Sequence, residues 1–459
     1  MTIDAAHWQE RLDVLARDAG VVGAVLGIVR LDDDGRDELV RAATGVLNAG
    51  TGRVTTVDSL FQIGSITKPV TGTVIMQLVD EGAIGLDEPV REILPGFRLV
   101  SDELTSGVTV RHLLNHTSGI QGDVFTDTGR GDDVLARYMT VLENVPQMHP
   151  LGEIWSYCNA GFSVLGRIIE VVTGQVWDAA MRSRLFGPLG MDHTVTLPED
   201  ALLFDAAVGH LRGLPEPVVT STWMLPRSSG PAGVVTTSVA DLLTFARCHM
   251  RDGVAPDGHR VVSEAGSRSM RALSVETPAT SLFGESWGLG FERFSWDGAF
   301  LYGHDGNTLG QSAYLRILPA AGLAVALLTN DDSPQRLYRA LFGEIFAELA
   351  GVRMSGTLQL PAAPPAADIT PWLGTYERGD ARCEILDASE GPALRITQIG
   401  ELAELEHQPV ETFPLCAVRE GLYGIFMERR GCNIPVWLGK TSDGARYLHW
   451  SSRLTRQVA

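Results

Sequence analysis

Ser65-Ile66-Thr67-Lys68 opens a run, Val70 to Val79, that carries Val70, Val74, Ile75, Met76, Leu78 and Val79 and no charge before Asp80. A helix apolar on nearly every side belongs in a core, and Gly82 stands where a left-handed C-cap ends one. Ser65 and Lys68 form an i, i+3 pair, so the hydroxyl and the amine share one helix face. The helix N-terminus and dry surroundings both disfavour a protonated lysine. A partly neutral lysine beside a hydroxyl is a base-activated nucleophile, the chemistry that makes S-x-x-K a catalytic motif. Gly64 permits close backbone approach before the serine. Pro69 follows near the first turn, where its missing N–H matters least.

Two more elements supply partners. Trp155-Ser156-Tyr157-Cys158-Asn159-Ala160-Gly161-Phe162 precedes a helical pattern of Phe162, Val164, Leu165, Ile168, Ile169, Val171 and Val172 that stops at Gly174. Tyr302-Gly303-His304-Asp305-Gly306-Asn307 follows a hairpin signal at Asp297-Gly298 and precedes the strand pair Tyr314 to Leu318 and Leu323 to Thr329. Each has a plainer reading alone: Asn159 as a helix N-cap, Tyr157 as a packed aromatic, His304-Asp305-Gly306 as a polar strand end. Three such elements in the order S-x-x-K, Y-x-N, H-x-G are hard to explain separately.

In these motifs the sequence resembles the penicillin-recognising serine enzymes, specifically the class C β-lactamase-like branch. That branch also holds D-alanyl-D-alanine carboxypeptidases, D-aminopeptidases, esterases and acyltransferases. The resemblance covers roughly Val21 to Leu349 and extends to Phe61-Gln62-Ile63-Gly64, Leu113-Leu114-Asn115-His116-Thr117-Ser118-Gly119 and Gly233-Val234-Val235-Thr236-Thr237-Ser238. It implies Ser65 as nucleophile, Lys68 as neighbouring base, Tyr157 as proton shuttle and Asn159 as the amide that grips the acyl side. It also implies an oxyanion hole from the backbone N–H groups of Ser65 and Asn307. Gly306 suits a strand that substrate backbone approaches. His304 stands where the β-lactamases have the lysine of K-T-G, with the expected role of polarising Tyr157 or, when protonated, binding a substrate carboxylate. Asp305 alternates to the other strand face and receives no role. Which of Lys68 and Tyr157 is the resting base stays open.

Composition fits a large enzyme. The 459 residues are 44% hydrophobic, and 37 Lys and Arg against 56 Asp and Glu leave a net charge of −19. An acidic surface argues against nucleic acid and anionic membranes as partners. Cys158, Cys248, Cys383, Cys416 and Cys432 show no metal or redox spacing, so neither metal nor cofactor is expected. Cys158 reads as a buried filler. Met1 to Asp18 reads as an amphipathic surface helix through Trp8, Leu12 and Leu15, not as a secretion signal, which makes the expected location cytoplasmic.

The expected fold is α/β: a β-lactamase-like catalytic unit over residues 1–359, an antiparallel sheet flanked by helices, with a helical lobe at about 80–225. Val21 to Arg30 and Glu38 to Ala43 read as a hairpin around Asp32-Asp33-Asp34-Gly35. Leu337 to Leu349 closes the unit as a helix. Residues 360–367 form a Pro/Ala linker. Residues 368–459, with short alternating runs and Trp372-Leu373-Gly374-Thr375-Tyr376 at the start, resemble a lipocalin-like antiparallel β-barrel, expected to wall the active-site cleft.

The function expected is a serine acyl-enzyme hydrolase acting on an ester or a D-configured amide through Ser65, Lys68 and Tyr157. Its partner is a small-molecule or peptide acyl substrate. One alternative is a cytoplasmic acyltransferase, an amide-bond former or peptide cyclase/thioesterase that takes an amine acceptor or carrier-bound thioester. Another is a non-catalytic ligand sensor, which has no need of all three residues. Truncation after Leu360 is expected to leave Ser65 reactive towards a small fluorophosphonate and to remove most activity on a larger substrate.

Overall fold

The computed structural model of the protein describes residues 2–32, 37–212, 216–278, 283–400, 410–428 and 431–458. The chain begins with helix α1, Ala5–Ala19, whose first amides are capped by the Asp4 carboxylate and which ends at Gly20 in the left-handed region. Trp8, Leu12 and Ala16, at i, i+4 and i+8, are its buried stripe. Strands β1, Gly23–Arg30, and β2, Glu38–Asn48, pair antiparallel. The Asp33-Asp34-Gly35 part of the expected turn lies outside the described residues.

The central sheet has nine antiparallel strands, with β1 beside Leu323–Thr329, then Gln311–Leu318, Ala299–Thr308 and Glu292–Trp296 in order. Asp297 and Gly298 form the turn between the last two, both with positive φ (51° and 81°), as the hairpin signal predicts. The period of two sorts each strand between two cores. From β1, Ala24, Leu26 and Ile28 pack with α1 and the helix Gln335–Ala350, while Val25 and Val29 face the helical lobe. Burial on both faces explains why these strands read as near-continuous apolar runs.

Helix α2, Thr67–Asp80, lies in the second core with Thr67 through Leu78 all buried. Gly82 follows it with φ 69°. The lobe after it is mainly short helices and loops, and also carries two-residue strands at Thr194–Val195 and His210–Leu211. Its longest helix, Asn159–Thr173, ends at Gly174 as expected. Beyond the linker, nine antiparallel strands among the described residues, from Gly374–Arg378 to Arg453–Gln457, form one nearly closed barrel with its own core. Among the described residues no helix is long and apolar enough to cross a membrane.

Leu12 is completely buried between α1 and the sheet. Leu12→Ala should lower stability by about 3 kcal/mol through lost burial and a residual cavity, seen as a lower urea midpoint of the catalytic unit.

Candidate active site

Ser65 sits in a single 3-10 turn, Gly64–Ile66, that runs straight into α2. The site begins with a close backbone contact beneath it. Gly64 has φ 49°, and a side chain there would come within 2.5 Å of the Asn307 nitrogen. A Cβ on Gly306 would lie 1.9 Å from the Ile63 carbonyl oxygen and 3.0 Å from the Ser65 nitrogen. The two glycines therefore let the strand Ala299–Thr308 press on the turn that carries Ser65, with the Asn307 nitrogen against Gly64 and the Ser65 nitrogen against Gly306.

Lys68 has no exposed surface. Its Nζ donates to Asn159 Oδ1 at 2.6 Å and to the Ala232 carbonyl at 2.8 Å, and lies 3.0 Å from Ser65 Oγ. Two of the three partners are carbonyl oxygens, which only accept. A neutral amine has two N–H donors and one lone pair, so these carbonyls leave the lone pair for the Ser65 hydroxyl. Burial drives the Lys68 pKa well down, Arg453 adds to the effect, and Asp123, Cys158 and Glu292 oppose it.

Tyr157 is buried, with Lys68 Nζ and the Arg453 guanidinium each 4.7 Å from its ring centre. Burial raises its pKa far above the ordinary phenol value, partly offset by Ser65 beside its hydroxyl, so it rests as a neutral phenol. That hydroxyl completes no hydrogen bond of good geometry among the described residues. The stretch Leu113 to Gly119 earns its place here: His116 Nδ1 accepts from the Cys158 amide at 3.0 Å, and its carbonyl accepts from Ser156. Cys158, not Asn159, is the N-cap of the helix that follows, its sulfur accepting from Gly161 N–H, with the thiol pushed up to about 11 by burial.

His304 differs from its expected place. Its ring is fully buried behind Tyr157, 6.2 Å between centres and edge-on to Trp287, and does not line the cleft. Nδ1 lies 2.5 Å from the Asp305 carbonyl and 3.2 Å from Glu292 Oε1. Burial, then the nearby Lys68, holds its pKa well below the usual range. A neutral, enclosed imidazole has no charge or open edge for a substrate carboxylate, so only the polarising role towards Tyr157 survives. Asp305 contributes to the cleft wall, yet its carboxylate pairs with Arg316 at 2.6 Å, on the far sheet face among Phe294, Trp296 and Tyr338.

The cleft is a cavity of about 190 Å3. Ser65, Tyr157, Asn159 and Asn307 line it, with Phe125, Leu225 and Phe283 as apolar walls and Ser451 and Arg453 from the barrel. The barrel therefore walls the cleft, as the sequence suggested. Arg453 and its partner Asp123 were not foreseen. Asp and Arg are ordinarily exposed residues, and nothing local marks a pair 330 positions apart as buried together.

The beta-lactamase family profile matches residues 9–350. "Penicillin-binding protein 4" of Amycolatopsis lactamdurans is 48% identical over 383 residues, 82% of this chain and 99% of the relative. Esterase EstB of Burkholderia gladioli is 29% identical over 377 residues, 72% and 92% of the two chains. The crystal structure of SurE superposes with TM-score 0.77 at 27% identity over 99% of both chains, and SurE with D-Leu with TM-score 0.75 at the same identity and coverage. This chain belongs to the beta-lactamase family. It is an enzyme of the serine-hydrolase kind found there, which sets the sensor alternative aside.

Gly64→Ala combines an unfavourable left-handed residue with a clash against Asn307. It should retain native circular dichroism but lose about 100-fold in the rate of p-nitrophenyl ester acylation, the order expected when one oxyanion donor is misplaced.

Proposed function

We propose that the enzyme forms an acyl-enzyme at Ser65 and hydrolyses an ester or a D-configured amide whose acyl side chain is apolar. The observation that carries this reading is the Lys68 amine, buried, 3.0 Å from Ser65 Oγ, and committed to carbonyl acceptors on its other two sides. The apolar side chain is supported by Phe125, Leu225 and Phe283 in the cleft wall. The D configuration is supported by the likeness to a structure holding D-Leu, and the ester by the likeness to an esterase.

Neutral Lys68 takes the Ser65 proton as Oγ bonds to the substrate carbonyl carbon and the C=O electron pair moves onto oxygen. The N–H groups of Ser65 and Asn307 receive that oxyanion. Collapse expels the alcohol or amine, which takes a proton from the Tyr157 phenol; Lys68 then returns the serine proton to the tyrosinate. Lys68 is the resting base in this scheme because Tyr157, with its raised pKa, rests protonated. His304 Nε2, buried and without a hydrogen-bond partner among the described residues, backs Tyr157 and steadies that exchange. Water then repeats the sequence on the ester.

Transfer to an amine is the second reading. Its support is the barrel wall: Ser451 and Arg453 narrow the approach to Ser65, which favours a held acceptor over free water. Adding a D-amino acid amide to a turning-over ester should raise total turnover and yield the coupled product if this reading holds, and leave product distribution unchanged if it does not.

A fluorophosphonate should add its mass to the peptide containing Ser65, and labelling should vanish in Ser65→Ala and drop at least about 1,000-fold in Lys68→Ala. Stoichiometric labelling of Cys158 or unimpaired turnover by Ser65→Ala would overturn the mechanism.

With a neutral buried histidine at the K-T-G position, the nitrocefin kcat/KM should fall about 100-fold or more below that of the best ester, because a fixed cation for the β-lactam carboxylate is missing there. Comparable values for the two substrates contradict this.

A further inference from the structure

The Y-x-N segment leans on the barrel along its length. Tyr157 N–H donates to the Ser452 carbonyl at 2.9 Å, Leu454 N–H donates to Ser156 Oγ at 3.1 Å, and His449 Nε2 lies 3.2 Å from the Trp155 carbonyl. Ser451 and Ser452 hold positive φ of 49° and 66° at the turn that makes these contacts. They are the two-residue loop of the hairpin that pairs Trp450 with Arg453, a turn that takes positive φ at both positions.

From the same turn Arg453 reaches across. Its Nε and Nη2 lie 2.7 Å and 3.2 Å from Asp123 Oδ2 and Oδ1, a two-point guanidinium–carboxylate bond. The two side chains are only 19% and 6% exposed. Asn159 Nδ2 donates to the same Asp123 Oδ1 at 2.6 Å, and Asn159 Oδ1 accepts from Lys68 Nζ at 2.6 Å. An unbroken chain of hydrogen bonds thus joins a barrel residue to the amine that faces Ser65. Its polarity fixes the Asn159 amide: Asp123 accepts only, so the amide N faces Asp123 and the amide O faces Lys68.

We propose that Arg453 is a positioning residue for acyl transfer, holding Asp123 and Asn159 so that the Lys68 amine keeps the geometry and charge environment that activates Ser65. The inference rests on the Ser65–Lys68 reading above.

Two opposite charges act on Lys68 through this chain. Arg453 repels a proton on Lys68 and Asp123 attracts one, and burial outweighs both. The other titratable groups around the amine are Tyr157, Cys158, His116, His304 and Glu292, and none belongs to the barrel. Asp123 is held below its ordinary range although burial, its largest influence, would raise it; the charge and hydrogen bonds of Arg453, joined by the charge of Arg378 and the Asn159 hydrogen bond, prevail. Without Arg453 the repelling cation is gone, which favours protonated Lys68, while Asp123 keeps the hydrogen bond of Asn159 and the charge of Arg378.

On this proposal the outcome of truncation differs from the expectation stated above. Removing the barrel takes away the Ser452 acceptor of Tyr157 and the counter-ion of Asp123, so Ser65 loses reactivity towards small probes as well as large ones.

The test is the pH dependence of fluorophosphonate labelling in the full-length chain. Labelling needs neutral Lys68, so its rate falls on the acid side as the amine protonates. Arg453→Ala should move that acid limb up by about one pH unit, and Asp123→Asn should move it down. The double variant should return most of the way, and Arg453→Lys should restore part of the shift because it keeps the cation without the two-point bond. A merely structural contact would lower labelling at every pH in both variants and leave the limb in place, which overturns the inference. Unchanged rates and limbs in both variants overturn it as well. Labelling that persists in Ser65→Ala instead defeats the underlying mechanism, so the two failures are told apart.

Discussion

Lys68 carries an amine to a position with no exposed surface, beneath a cleft that Ser65 lines, and its neighbours are arranged around that fact. Leaving a charged ammonium in such surroundings is strongly unfavourable, so the group meets the demand by shifting its pKa and by satisfying every hydrogen it keeps. The carbonyls of Asn159 and Ala232 take those hydrogens. Each acceptor lies on a different element, the helix Asn159–Thr173 and the short helix Gly230–Gly233, and both are packed on α2. Helix α2 is buried from Thr67 through Leu78, with Thr71, Thr73 and Gln77 hydrogen-bonded, because it must deliver a polar group to the inside of a core.

The second requirement is a backbone that can stabilise an oxyanion. In the proposed mechanism the backbone of the sheet strand and of the Ser65 turn supplies it. Gly64 and Gly306 bring a strand and a helix-entry turn to within backbone contact. That strand carries buried His304 and Asp305, with Glu292 and Arg316 buried on the strands to either side, burial raising the pKa values of both carboxyl groups and Arg316 stacked among aromatic rings. These groups are tied to the sheet and to one another, so the strand that carries Asn307 sits on a polar network that stiffens it.

The barrel is the third partner. A module joined through a proline-rich tether has no need to touch the chemistry, yet its turn at Ser451 and Ser452 meets the Y-x-N segment, and Arg453 pairs with Asp123. A buried ion pair is poor value as a source of stability alone, since desolvation offsets most of the attraction. Its placement next to Asn159 gives it a function in orienting that amide.

Ser65, Lys68, Tyr157 and the H-x-G strand were legible in the chain because they lie in short motifs embedded in strong periodic patterns, where residue type and local backbone together constrain the chemistry. The Asp297-Gly298 turn and the approximate limits of α2 followed from the same local rules. The environment of each group was not legible. The sequence allowed His304 to be open or buried, and the sheet register with Trp287 and Glu292 enclosed it. Asn159 read equally as a cap until Cys158 took that position. Asp123 and Arg453, distant in the chain and ordinary in type, became a pair only when the barrel docked. Motif spacing is set by covalent geometry over a few residues, whereas protonation and orientation are set by desolvation and by neighbours from far along the chain; the first is written in the sequence, and the second exists only once the chain has folded.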